Sequence, residues 1–330
     1  MEFRTIADME ATVRRMLPRV PRDVDVVVGI PRSGMIPASM FALYLNRPMT
    51  DLEGMLSGRL IRSGRRPVPG GDAAALANAT RLLIVDDCVG NGTQLAAVQE
   101  RLANENLKPQ LTYAAVFTTE KGTGMLDLWG EELGWPQCFQ WNVFQHPDYL
   151  GRAQVDMDGV LCVNPTEYQD DNGPRYAEFL DQAAPLFVPT PKIGAIVTSR
   201  SEAVRPQTEA WLAKHGITYD ELVMLPEDKA TPARRPAEGL NLKVESYRNS
   251  DALLFIESEW TGSVEIANRT GRPVLCTDAQ RMALPGSTAA AVAKLRRSPR
   301  QIARRLKRRL LDRPSPSPSA SGSVATPSAS

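Results

Sequence analysis

Short apolar, β-branched runs that break off at a turn and give way to a helical pattern recur along this chain. This alternation constrains the fold more than any other feature. The spacing predicts a helix over 6–17, then a strand over 23–30, DVDVVVGI, that ends in the turn PRSG. A helix over 35–45, a strand over 82–86, a helix over 93–103 and a strand over 111–117 follow. A second series starts at Ala153. Its strands are expected over 153–156, 193–198, 219–224, 252–256 and 273–276, and its helices over 175–184, 204–215, 241–249 and 261–270. Strands alternating with helices imply a parallel sheet, and in such sheets ligands sit at the carboxyl ends of the strands.

Two such series fit a chain of 330 residues, which is long enough for about two ordinary domains. The expected division is 1–150 and 151–287. With 42% hydrophobic and 23% charged residues the composition is that of a globular protein. No apolar run approaches the roughly 20 residues of a membrane span, and the first residues lack a signal-peptide pattern, so a cytoplasmic location is expected. Cys88, Cys138, Cys162 and Cys276 are scattered without paired spacing, against a disulfide framework or zinc site. The net charge of +1 conceals a basic segment near the end, since Lys294, Arg304, Lys307 and Arg308 are among a run of cations that leaves the rest mildly acidic. A basic amphipathic helix is expected within 288–313, suited to an anionic partner or simply solvated, and a low-complexity disordered tail over 314–330.

The stretch RLLIVDDCVGNGTQL, 81–95, places Asp86 and Asp87 where a buried strand gives way to a loop, so that their carboxylates can accept hydrogen bonds from a diol. Residues 88–93 can then wrap backbone N–H groups around a phosphate, helped by Gly90, Gly92 and the positive end of the helix starting near Thr93. A phosphorylated sugar satisfies both halves. The stretch resembles the phosphoribosyl-pyrophosphate signature of type I phosphoribosyltransferases, and GIPRSGMIPASMFAL, 29–43, looks like that family's pyrophosphate loop and helix. The resemblance covers roughly 1–150. It implies that Asp86 and Asp87 hold ribose hydroxyls, that Cys88, Val89, Gly90, Asn91, Gly92 and Thr93 hold the 5-phosphate, and that Arg32, Ser33 and Gly34 hold pyrophosphate with its Mg²⁺. Arg59, Arg62, Arg65 and Arg66 would form a flap that neutralises the departing pyrophosphate and excludes water. The sequence departs from the family pattern at Asn91 and Gln94, where hydroxyls are usual. It also departs at Gly90, where purine salvage members carry an acidic residue. These departures leave the acceptor open and keep a nucleotide-sensing, non-catalytic domain as the alternative.

In VDMDGVL, Asp156 and Asp158 are two apart at a strand end and project to the same side. One carboxylate can attack phosphorus while the other moves a proton, with Mg²⁺ offsetting the repulsion between anions. The motif resembles the first signature of haloacid dehalogenase-like phosphatases, and further pieces follow in family order. Thr198 ends an apolar strand, Lys243 is expected to open a helix, and Glu257 and Glu259 follow another strand. The resemblance implies Asp156 as nucleophile, Asp158 as acid and base, Thr198 as hydrogen-bond donor to the phosphate and Lys243 as its counter-charge, with Lys229 as a rival lysine. Asp156 and Asp158 would hold Mg²⁺, and Glu257 and Glu259 would hold it directly or through water. The interval between Asp158 and the next strand leaves room for only a minimal cap, with 167–176 as its rim.

The fold class expected is thus α/β, with two Rossmann-like parallel-sheet domains, a phosphoribosyltransferase fold followed by a haloacid dehalogenase-like fold. The activities implied are phosphoribosyl transfer to an unidentified acceptor and phosphomonoester hydrolysis, naturally coupled if the phosphatase removes the 5-phosphate of the transferred ribose. A homodimer is also among the expected partners. The aromatic group Trp129, Trp135, Trp141 and Phe144 reads as core or domain interface in preference to a nucleobase platform. His146 and His215 have no partners at metal-ligand spacing, and His215 reads as a helix C-cap.

Overall fold

The computed structural model describes residues 1–61, 70–105, 107–166, 168–169, 173–231 and 234–288. Arg62, Arg65 and Arg66 of the expected flap, Glu167 and residues 170–172 of the expected rim, the basic helix and the tail lie outside the described residues. Met1–Gly286 form one compact unit.

The first half runs β1 (Glu2–Arg4), α1 (Ile6–Met16), β2 (Val24–Gly29), α2 (Met35–Leu45), β3 (Met49–Asp51), α3 (Leu52–Leu56) and α4 (Asp72–Ala77). It continues through β4 (Arg81–Val89), α5 (Thr93–Ala103), β5 (Gln110–Thr118), α6 (Glu120–Thr123), β6 (Leu128–Glu132), β7 (Gln137–Phe139) and α7 (Pro147–Leu150). Five strands form a wholly parallel sheet in the order β3-β2-β4-β5-β6. Successive side chains of a strand point to opposite faces, and here both faces are apolar. Val27, Leu83, Val85 and Val116 pack against Met9, Val13 and Met16 of α1 and Phe41 of α2. Val26, Val28, Leu82 and Ile84 meet Leu95 and Leu102 of α5 on the other side. Burial of each such side chain stabilises by about 1.5–3 kcal/mol. Helix α1 starts at a reciprocal cap in which Asp8 N–H donates to Thr5 Oγ1 at 3.1 Å and Thr5 N–H donates to Asp8 at 2.8 Å.

The second half runs β8 (Ala153–Val155), α8 (Pro174–Gln182), β9 (Ile193–Ser201), α9 (Arg205–Lys214), β10 (Tyr219–Leu225), α10 (Arg235–Arg248), β11 (Leu254–Glu257), α11 (Trp260–Thr270), β12 (Val274–Cys276) and β13 (Arg281–Ala283). Its sheet has the order β10-β9-β8-β11-β12-β13, parallel except for the antiparallel β12–β13 pair. The expected α/β architecture with parallel sheets is therefore present. Helix α10 differs from expectation. It begins at Arg235, with Pro236 in its first turn, so Lys243 lies mid-helix and does not open it. His215 stands at the C-cap of α9, where its ring tilts against Trp211 with centroids 4.3 Å apart.

The two sheets have separate cores, yet the chain between them belongs to both. Strand β1 pairs in parallel with β7. Cys138, Val143, Tyr149 and Leu150 are buried in the core of the second half. No helix among the described residues is long and apolar enough to cross a membrane.

Candidate functional sites at two strand ends

Strand β4 extends further than its apolar run, through Asp86 and Asp87 to Val89, because β5 continues to pair with it as far as Val89↔Thr118. The two aspartates are consequently buried, each 5% exposed, at the carboxyl end of the central strand. Their environments differ. Asp86 Oδ1 accepts the Asp87 backbone N–H at 2.9 Å, and Asp86 faces a cleft of about 820 Å³ that Val89, Gly90, Gly92, Lys121 and Trp135 help to line. Burial, with the adjacent charge of Asp87 second, pushes the Asp86 carboxyl up to about 8. Asp87 turns away from the cleft: its Oδ1 accepts from Ser33 Oγ at 2.8 Å and its Oδ2 from Trp141 Nε1 at 2.7 Å.

The loop between β2 and α2 reaches this pair from the adjacent strand. Gly34 is required by close approach, since a Cβ there would lie 2.5 Å from Ile30 O and 2.9 Å from Asp86 Oδ1. Arg32 is exposed beside Ser33. Gln94 Nε2 lies 3.5 Å from Pro31 O, linking this loop to the one after β4. In that second loop Gly92 has φ +82°, and a Cβ on it would meet Met125 Sδ at 2.3 Å. Thr93 N–H donates to Asn91 Oδ1 at 3.1 Å as α5 begins. The Cys88 thiol is pushed up by burial and by the charges of Asp87 and Asp86, which keeps it protonated. Of the expected first-site residues, Asp86 and Cys88 to Gly92 line the cleft, whereas Arg32, Ser33, Gly34, Asp87 and Thr93 do not; Ser33 and Gly34 pack against Asp87 and Asp86. Arg59, the described member of the flap, pairs with Asp51 at 3.4 Å on the surface.

The aromatic group divides between uses. Trp141 stacks on Phe139 with centroids 4.7 Å apart while donating to Asp87, and Phe144 stacks on Phe187 of the second half at 4.1 Å. Trp135 is 76% exposed at the cleft. The contact of Trp141 with Asp87 was not legible in the sequence, where its position outside both loop motifs marks it only as an aromatic.

The second group lies at the ends of β8, β9 and β11. Asp156 follows β8 and extends its pairing, its N–H donating to Ile256 O at 2.9 Å. Lys243 reaches in from the middle of α10, with Nζ 2.7 Å from both Asp156 Oδ2 and Glu257 Oε2. All three are buried. Burial alone would lower the lysine, but the two carboxylates hold it above its ordinary value. Burial and then Glu257 raise Asp156, whereas the attraction of Lys243 overrides burial at Glu257 and lowers it. Asp158 is bound by Arg200, whose Nη2 lies 2.6 Å away and whose side chain is fully buried. Thr198 is buried, and its Oγ1 accepts the Arg200 N–H at 3.2 Å. Arg200 was not singled out in the sequence, although it stands two residues after Thr198.

The four-carboxylate magnesium set expected here is not assembled. Glu259 is exposed at the N-cap of α11, Lys243 bridges Asp156 and Glu257, and Asp158 is engaged by Arg200. Among the described residues no three His, Cys, Asp or Glu side chains converge to hold a metal ion. Lys229 pairs instead with Glu238 at 3.9 Å, outside this group.

No family model matches this chain, and no curated protein matches it. Among solved structures, it is similar to a xanthine-guanine-hypoxanthine phosphoribosyltransferase of Helicobacter pylori, at 15% identity and a TM-score of 0.33 over 43% of this chain and 93% of that one. A purine phosphoribosyltransferase of Pyrococcus horikoshii Ot3 gives 20% identity and a TM-score of 0.31 over 42% and 92%. A hypothetical protein of Neisseria gonorrhoeae with bound ppGpp gives 15% and 0.32 over 43% and 89%. At such identities and scores the likeness assigns no activity.

Proposed function

We propose that the first site binds phosphoribosyl pyrophosphate with Mg²⁺ and transfers its phosphoribosyl group to an acceptor nucleophile. The observation that carries this reading is that Asp86 and residues 88–92 line one cleft, with Asp87 hydrogen-bonded behind Asp86 to Ser33 of the 31–34 loop. Vicinal ribose hydroxyls donate to the carboxylates, and the 5-phosphate takes the loop N–H groups ahead of α5. Mg²⁺ arrives with the substrate and offsets the charge of its pyrophosphate. The bond from the anomeric carbon to pyrophosphate breaks, pyrophosphate leaves with the electron pair, and the acceptor's lone pair forms the new bond. Trp135 and Lys121 line the cleft where the acceptor would enter.

The second group supports hydrolysis of a phosphomonoester. An Asp156 oxygen bonds to phosphorus as the ester oxygen leaves, and water then releases phosphate from the aspartyl phosphate. Lys243 supplies the positive charge that lets a carboxylate approach an anion. The juxtaposition of Asp156 and Lys243 favours this reading.

Pyrophosphate release across a panel of nucleobases and other acceptors tests the first activity. Turnover that Asp86→Asn and Asp87→Asn each lower at least about a hundredfold is the expected result. Binding without turnover on every acceptor would instead define a sensing site. A search for phosphoenzyme at Asp156, absent in Asp156→Asn, tests the second activity.

A further inference from the structure

Trp141 does something that neither loop motif explains. Its indole N–H donates to Asp87 Oδ2 at 2.7 Å, opposite the Ser33 hydroxyl on Oδ1 at 2.8 Å. An indole nitrogen is a donor only, so it demands an acceptor and cannot be satisfied by a reversed bond. The ring has little freedom to turn away. It stacks on Phe139 at 4.7 Å and 17° and on Phe117 at 6.3 Å and 21°. The chain on its far side is rooted in another core, through Val143, Tyr149 and Leu150 and through the Phe144–Phe187 stack.

Each carboxylate oxygen can accept two hydrogen bonds. With one position on each oxygen taken by Ser33 and Trp141, the remaining positions of Asp87 are fixed in direction. We propose that Trp141 is a positioning residue of the first site. It holds the Asp87 carboxylate, together with Ser33, in one orientation directly behind Asp86, which faces the cleft, and it makes that orientation depend on the segment that continues into the second half. This rests on the reading of the first site as a phosphoribosyl pyrophosphate site. A charge-assisted hydrogen bond inside a buried site is stronger than a neutral one, and its loss frees the carboxylate to rotate.

The experiment is binding of phosphoribosyl pyrophosphate with Mg²⁺ by calorimetry, combined with the indole N–H resonances of the full chain labelled at its 5 tryptophans. Trp141→Phe keeps the stacked ring and removes the donor; it should weaken binding about tenfold or more. Asp87→Asn should weaken it at least as much, and the double variant should be no worse than Asp87→Asn alone. The Trp141 resonance, identified by its absence from Trp141→Phe, should move in Asp87→Asn and again on adding ligand to wild type. Wild-type affinity in Trp141→Phe, or losses that multiply in the double variant, would overturn the proposal. So would a spectrum of folded Asp87→Asn in which none of the 5 indole resonances moves, an outcome that needs no assignment and decides the matter even if Trp141→Phe does not fold. A wild type that binds no phosphoribosyl pyrophosphate sinks the reading of the site itself, and the indole resonance separates that failure from a failure of Trp141 to hold Asp87.

Discussion

Asp86 and Asp87 are adjacent, equally buried and chemically different. Asp87 has its oxygens engaged by Ser33 and Trp141, while Asp86 faces the cleft with its carboxyl pushed up to about 8 by burial and the neighbouring charge. An unfolded aspartate ionises near about 4, so between about pH 4 and 8 the folded state holds a proton that the unfolded state has lost. Stability from this group is therefore full below about pH 4 and declines as pH rises towards 8. Asp86→Asn should raise the melting temperature at pH 9 and leave it unchanged at pH 4, as differential scanning calorimetry would show. Ligand hydroxyls donate best to the ionised form. On the proposed reading of the site, the affinity for phosphoribosyl pyrophosphate should rise with pH by up to about tenfold per unit below 8 and then level off, with protons released on binding at pH 7. The sequence made the two carboxylates legible as a pair because of where the apolar run stops. Their inequality was not legible, because Ser33 and Trp141 come from distant segments that only the fold brings together.

At the scale of elements, the longest segments were legible and their ends less so. Helices α2 and α5 start and stop where the apolar spacing places them. Short strands such as β3 and β13 carry too few residues to show a period, and their pairing comes from the sheet beside them. The early start of α10 has the largest consequence, since it turns Lys243 from a terminal residue into a buried one aimed at Asp156 and Glu257. Replacing Lys243 with Met leaves two carboxylates buried without their shared cation. We expect a loss of about 3–5 kcal/mol in denaturant unfolding, partly recovered in a Lys243→Met, Glu257→Gln double variant. A double variant as unstable as the single one would show that the ammonium contributes through packing.

Met1–Gly286 carry two large, mainly parallel sheets and the small β1–β7 pair in one compact unit, with the segment between the large sheets shared. Cys138, Val143, Tyr149 and Leu150 lie before the expected division at 150 but are buried in the second core. Calorimetry of the full chain should therefore show one cooperative transition, not two. A fragment ending at residue 150 would leave those side chains in water and should bind a hydrophobic dye that the full chain excludes. Two separate transitions, or a fragment indifferent to the dye, would mean that the shared segment contributes little. The alternation of strands and helices made both halves legible. The sharing was not, because no periodicity reports which of two cores an aromatic residue will join.

The parallel pairing of β1 with β7 sets a condition on synthesis. Glu2 to Arg4 have no strand partner until Gln137 to Phe139 have been translated, so on the ribosome the growing chain carries an unmated β-edge for much of its elongation. A chaperone that caps such an edge would act most usefully on nascent chains that have not yet reached Gln137. Because Val143, Tyr149 and Leu150 just beyond β7 belong to the second core, the Trp141–Asp87 contact should form only after the second half has been synthesised.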